Sequence, residues 1–180
     1  MMRRNIGRGA MVAVAALMVA TPALAQQATR FYSYDPANDE AQRMTRGITL
    51  EVRRGLFGAS QVQRFYSTEA RGSAELERVS TTAPLRALPA GAGETNVYRI
   101  AEAGDGRALG RALCPGTLET WLVIGRVRAR SDIRLHAVGR TEAGEMRLCR
   151  TMSYTYRGEW SVPSDLPPPA AEPLGNPPSR

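Results

Sequence analysis

From Glu119 to Arg157 the chain reads as three consecutive runs of β-type sequence, Glu119–Arg130, Asp132–Arg140 and Glu145–Arg157. They are joined only by Ser131-Asp132 and Thr141-Glu142-Ala143-Gly144. A parallel return needs a crossover of about a dozen residues or more, so such links force antiparallel neighbours. This one feature commits the C-terminal half to an antiparallel sheet.

The N-terminal half reads the same way. Ile48, Leu50 and Val52 alternate with Thr49, Glu51 and Arg53, the period of a strand buried on one face. Gly55-Leu56-Phe57-Gly58 turns the chain, and Ser60–Thr68 resumes with Val62, Phe65 and Tyr66, making a hairpin. Asn96–Ala101 is a further strand, Gly104-Asp105-Gly106 a turn, and Arg107–Leu113 a strand or one helical turn that Cys114-Pro115-Gly116 ends. Residues 69–94 read as a long loop holding at most short strands. A short helix is expected after Asp35 as N-cap, with Pro36 at its first position, Asp39 and Glu40 in its first turn and Gly47 beyond its end. The expected fold is mainly β: one antiparallel β-sandwich or open barrel of about 6–9 strands with one short N-terminal helix.

The two ends fall outside that domain. Residues 1–25 have the parts of a Sec-type signal peptide: basic Arg3, Arg4 and Arg8, an apolar run from Ala10 to Ala20, then Ala23 and Ala25 before the cut. The run is too short to span a bilayer, which takes about 20 residues. Asn5-Ile6-Gly7 is a poor continuation of a twin-arginine signal. Cleavage after Ala25 is expected to leave a domain over 26–163 beginning at Gln26, in the periplasm or secreted. The Pro-rich residues 164–180 are expected to be a disordered tail.

All basic residues are Arg, with no Lys, the drift of a GC-rich genome. Cleavage removes three Arg and no acid, so the formal net charge falls from +7 to +4. That permits an anionic partner without demanding one. Nucleic acid is not expected as a partner, nor is a membrane span after cleavage.

Cys114 and Cys149 are an even pair in an oxidising compartment and are expected to be bonded. With the lone His136 they match no zinc signature, and no EF-hand, P-loop or GxSxG elbow occurs. No catalytic, metal or cofactor residue is therefore assigned. The acids Asp39/Glu40 and Glu75/Glu77 lie in polar segments and read as solvated.

One pattern rises above its background. Arg126, Arg128 and Arg130 share one face of their run, and Trp121, Val123, Val127 and Ala129 share the other. Arg134, His136 and Arg140 alternate with Ile133, Leu135 and Ala137, and Arg147 and Cys149 oppose Met146, Leu148, Met152 and Tyr154. If the apolar sides share one core, Arg126, Arg128, Arg130, Arg134, His136, Arg140 and Arg147 form one basic outer face. The layout resembles, in a general way, the small exported β-rich proteins of Gram-negative bacteria. The expected role is a non-enzymatic envelope binding or structural module. That face would meet lipopolysaccharide, acidic lipid, a glycan or another envelope protein. The alternative is a periplasmic hydrolase whose site is assembled from scattered residues.

Overall fold

Eight strands make up the sheet of the computed structural model, which describes residues 29–54, 60–69 and 72–161. They are β1 (Thr29–Pro36), β2 (Ile48–Arg54), β3 (Ser60–Ser67), β4 (Ser73–Val79), β5 (Asn96–Ile100), β6 (Glu119–Ile124), β7 (Ile133–Arg140) and β8 (Met146–Ser161). The expected signal peptide and Pro-rich tail lie outside the described residues.

Each strand pairs antiparallel with its sequence neighbour, and β8 pairs with β1. The barrel is therefore closed, which corrects the expectation of a sandwich or open barrel. Closure comes from the length of β8, a single strand of 16 residues. Met146–Tyr154 pairs with β7, and Tyr154–Ser161 goes on to pair with β1. Closing the sheet leaves no edge strand to protect.

Side chains fill the interior. Tyr32 and Tyr34 (β1), Leu50 (β2), Phe65 (β3), Leu76 (β4), Tyr98 (β5), Leu122 and Ile124 (β6), Leu135 (β7), and Met152 and Tyr154 (β8) form one buried cluster. Each large apolar side chain so buried contributes roughly 1.5–3 kcal/mol. Tyr154 satisfies its hydroxyl against Thr45 Oγ1 at 2.8 Å.

Two short helices interrupt the meander: α1 (Asp39–Met44) between β1 and β2, and α2 (Gly106–Leu113) between β5 and β6. Helix α1 starts later than expected. Its cap is Asn38, whose Oδ1 accepts from Ala41 N at 3.0 Å and from Ser153 N at 3.1 Å. Asp35 and Pro36 instead finish β1, where a proline does no harm to the ladder. Leu109 and Leu113 of α2 join the core. Antiparallel order puts both helical connections at one end of the barrel, the helical end. The other, the loop end, holds the β4–β5 and β6–β7 connections, the start of β1 and the end of β8.

Residues 80–95, with a 3-10 turn at Ala83–Ala87, form a strap over the outside of the barrel. Its Leu85, Ala87 and Leu88 pack on Val97, Trp121, Val123 and Val138, a second apolar cluster. Trp121 and Val123, expected on the core side, therefore face outward, while Leu122 and Ile124 face inward. A strand covered on both faces reads as a continuous apolar run, as Trp121–Ile124 does.

Cys114 and Cys149 are bonded, with Cα atoms 5.2 Å apart. Cys114 is the C-cap of α2. Cys149 is the extra residue of a bulge, since Ala137 pairs with Arg150 and Val138 with Leu148. The bulge also switches parity along β8. Met152 and Tyr154 lie in the core, but Met146 and Leu148 pack under the strap. No helix among the described residues is long and apolar enough to cross a membrane.

Candidate functional site

The seven residues expected on one basic sheet face are dispersed. Strand β6 ends at Ile124, so Arg126, Arg128 and Arg130 lie in the β6–β7 loop rather than on a strand. The ladder stops where the Asn96 side chain donates to the carbonyls of Ile124 and Gly125, at 3.3 and 3.2 Å. The alternation nevertheless has a structural cause. Val127 is buried in the core cluster and Ala129 packs against it, while the three arginines between and beside them are exposed. The loop thus lies across the loop end of the barrel, apolar side chains down and guanidinium groups up.

Arg134, exposed near the start of β7, adds to this end; its nearest acid is Glu94, at 3.9 Å. Arg140 ends β7 at the helical end and is paired with Glu119 at 2.6 Å. Arg147 pairs in register with Gly139, on the opposite face of the sheet from Arg140, and donates to the carbonyl of Pro115. His136 is not on an outer solvated face, because the strap covers it. Four of the seven therefore gather at the loop end and three do not.

Two arginines that the sequence pattern does not single out join those four. Arg30 shares the inward face of β1 with Tyr32 and Tyr34. Its ion-pair partner Glu159 is in register with Tyr32 and faces inward too. Arg78 is in register with the buried Tyr98 and donates to Asn96 Oδ1 at 3.1 Å. Strand β1 carries little polar–apolar alternation to reveal this, since Phe31 on the outer face is as apolar as its inward neighbours. Arg126, Arg128 and Arg130 are in no ion pair among the described residues, which they share with Arg53, Arg78, Arg86, Arg111 and Arg147; what sets the three apart is that they stand together on one loop.

His136 sits in a hydrogen-bonded row. Its Nδ1 is 3.1 Å from Thr151 Oγ1 and its Nε2 is 3.1 Å from Glu94 Oε2. A hydroxyl, an imidazole and a carboxylate in sequence is the arrangement used in nucleophilic catalysis. Here the imidazole is only 2% exposed and both nitrogens are engaged. The neighbouring cleft, about 440 Å³, reaches Glu94, Arg126, Asp132 and Arg134 but not His136 or Thr151. The row pins the end of the strap to the barrel wall.

A larger cleft of about 600 Å³ lies beside α2, lined by Glu77, Arg99, Glu102, Arg107 and Glu119 among others. Its carboxylates are neutralised in place: Arg99 bridges Glu77 and Glu119, and Arg107 holds Glu102 at 3.1 Å. Among the described residues no three His, Cys, Asp or Glu side chains gather as a metal site. In comparisons with protein-family models, curated proteins and solved structures, the chain matches none.

Proposed function

We propose that the protein is an exported, non-enzymatic binding module of the cell envelope that holds an anionic partner at the loop end of its barrel. One observation carries this reading. Arg126, Arg128 and Arg130 are exposed, free of ion pairs among the described residues, and held in place by the buried Val127 between them. Guanidinium groups suit phosphate and carboxylate, which they grip with two parallel hydrogen bonds. Lipopolysaccharide, acidic lipid and acidic glycans carry such groups. The envelope address draws on the signal-peptide pattern of residues 1–25 and on the bonded cysteines.

The test is co-sedimentation with lipopolysaccharide or anionic vesicles at low and high salt. Replacing Arg126, Arg128 and Arg130 together by Gln is expected to weaken binding by about 3–150-fold, at about 0.2–1 kcal/mol per exposed ion pair. High salt is expected to do the same to the unaltered protein. Binding indifferent to both would overturn the reading.

The hydrolase alternative has one observation in its favour, the Thr151–His136–Glu94 row. Esterase or glycosidase activity that co-purifies with the protein and disappears in Thr151→Ala would support it over a binding role.

A further inference from the structure

Among the described residues two large apolar side chains are exposed, Leu118 and Trp160. They stand at opposite ends of the barrel. Leu118 precedes β6 at the helical end, and Trp160 nearly ends β8 at the loop end, where the free arginines are.

Trp160 is held in place. It is in register with Phe31 on the outer face of β1, and the two rings stack with centroids 4.2 Å apart and planes 12° from parallel. Its Nε1–H donates to Ser33 Oγ at 3.3 Å, and Ser33 Oγ lies 3.1 Å from Thr49 Oγ1. Ser33 is farther from the rim than Phe31, so the polar edge of the indole is turned down the barrel wall and the benzenoid ring away from it. A lone exposed apolar side chain needs no explanation. A stacked pair fixed by its polar atom, at the end that also carries the free cations, does.

Strand β8 carries the ring past the β6–β7 loop. Its pairing with β7 stops at Tyr154, in register with Ile133, while its pairing with β1 continues to Ser161. The Tyr156 N–H donates to Asp132 Oδ1 at 2.9 Å, which fixes the level of the last residue of the loop. Trp160 lies roughly 13 Å farther along the strand, or roughly 10 Å in height at a tilt of about 40°. An arginine side chain spans a comparable distance, so the indole and the guanidinium groups of Arg126, Arg128 and Arg130 reach one plane. Arg53 adds another exposed cation with no ion pair among the described residues, in register with Thr29 on the face that carries Phe31. The nearby acids are engaged: Glu159 with Arg30, Glu51 with the Tyr66 hydroxyl at 3.0 Å, and Asp132 with Tyr156.

Neither cleft described above reaches Trp160 or Phe31. A projecting ring with cations beside it suits a flat surface rather than an enclosed ligand. It is also small for a protein partner. The exposed half of an indole is on the order of 100 Å², against about 800 Å² per side of a specific protein interface. The boundary of a bilayer takes up aromatic rings with an apolar body and a polar edge, and anionic headgroups attract arginine beside them.

We propose that the protein docks by its loop end on an anionic bilayer surface. The Trp160 ring enters the headgroup layer, and Arg53, Arg126, Arg128 and Arg130 meet the lipid phosphates. This rests on the reading that an anionic envelope component binds at that end, and it names a lipid surface as that component.

Phosphatidylglycerol vesicles are the probe; phosphatidylcholine vesicles, lipopolysaccharide and the soluble acidic polysaccharide alginate are the comparisons. With phosphatidylglycerol, Trp160 emission is expected to move to shorter wavelength and to become shielded from acrylamide. Trp160→Phe leaves Trp121, 6% exposed, as the only tryptophan and isolates that change by difference. Trp160→Ala is expected to bind these vesicles about tenfold more weakly, the worth of part of the indole area. Leu118→Ala, at the far end, is expected to bind as the parent does. The shielding measurement uses the unaltered protein, so it decides even if a Trp160 variant folds poorly. Vesicle binding that leaves Trp160 as open to acrylamide as in solution overturns the docking mode, and the anionic reading stands. So does a Trp160→Ala variant that binds as tightly as the parent. Binding to alginate or lipopolysaccharide but not to phosphatidylglycerol vesicles also overturns it, with another anionic partner in its place. Equal binding to phosphatidylcholine vesicles, or binding to none of the four, overturns the docking mode and the anionic reading together.

Discussion

Replacing Cys114 and Cys149 together by Ala, or reducing their bond, is expected to lower the melting temperature by on the order of 10 °C. The bond closes a loop with a sequence separation of 35 residues, which holds β6, the β6–β7 loop and β7. In the chain-entropy account a closure of that length restricts the unfolded chain by about 3–4 kcal/mol. At this chain size each kcal/mol shifts the melting point by about 2–4 °C. The bond also ties the end of α2 to the bulge of β8, where parity along the strand switches. Calorimetry with and without reductant measures the effect. A shift of only a degree or two would mean that the barrel already constrains this segment, and that the bond adds little beyond its local tie.

His136→Ala is expected to destabilise the fold by about 1–3 kcal/mol, the usual cost of leaving a buried hydrogen-bonding group without its partner. The loss strands Glu94, whose side chain is only 10% exposed and whose nearest remaining cation, Arg134, is 3.9 Å away. Glu94→Gln is expected to cost less, since an amide can still hydrogen-bond the imidazole without leaving a buried charge. The damage should spread in one direction. The strap end is released, Trp121 and Val123 gain access to water, and amides of residues 80–95 exchange faster while those of β1–β3 do not. Tryptophan emission and hydrogen exchange report both. If His136→Ala is as stable as the parent with its strap still protected, the strap is held by Leu85, Ala87 and Leu88 alone.

Much of the barrel is legible in the sequence because period-two alternation carries it. The hairpin of β2 and β3, the three C-terminal strands and the disulfide all come from patterns of a few residues. Legibility ends where a strand is covered on both sides. Trp121–Ile124 carries no alternation to say which side is the core, and the core side taken from Trp121 and Val123 is the strap side instead. In Arg126–Arg130 the alternation is real but belongs to a loop lying over a barrel end, which has the same apolar-down, charged-up logic as a strand face. Closure turns on β8 being long enough to pair on two sides, and the strap turns on residues 80–95 folding back over the sheet. Both are properties of distant contacts rather than local sequence. The burial of His136 follows from the strap and could not be read without it.

The central claim, that an anionic partner is held at the loop end, is tested most directly by mapping amide chemical-shift changes as phosphatidylglycerol vesicles or lipopolysaccharide fragments are added. The predicted result is a set of changes confined to residues 125–134 and the loop-end residues of β1 and β8, abolished by high salt. Changes centred on the cleft beside α2, on the strap, or nowhere would contradict it.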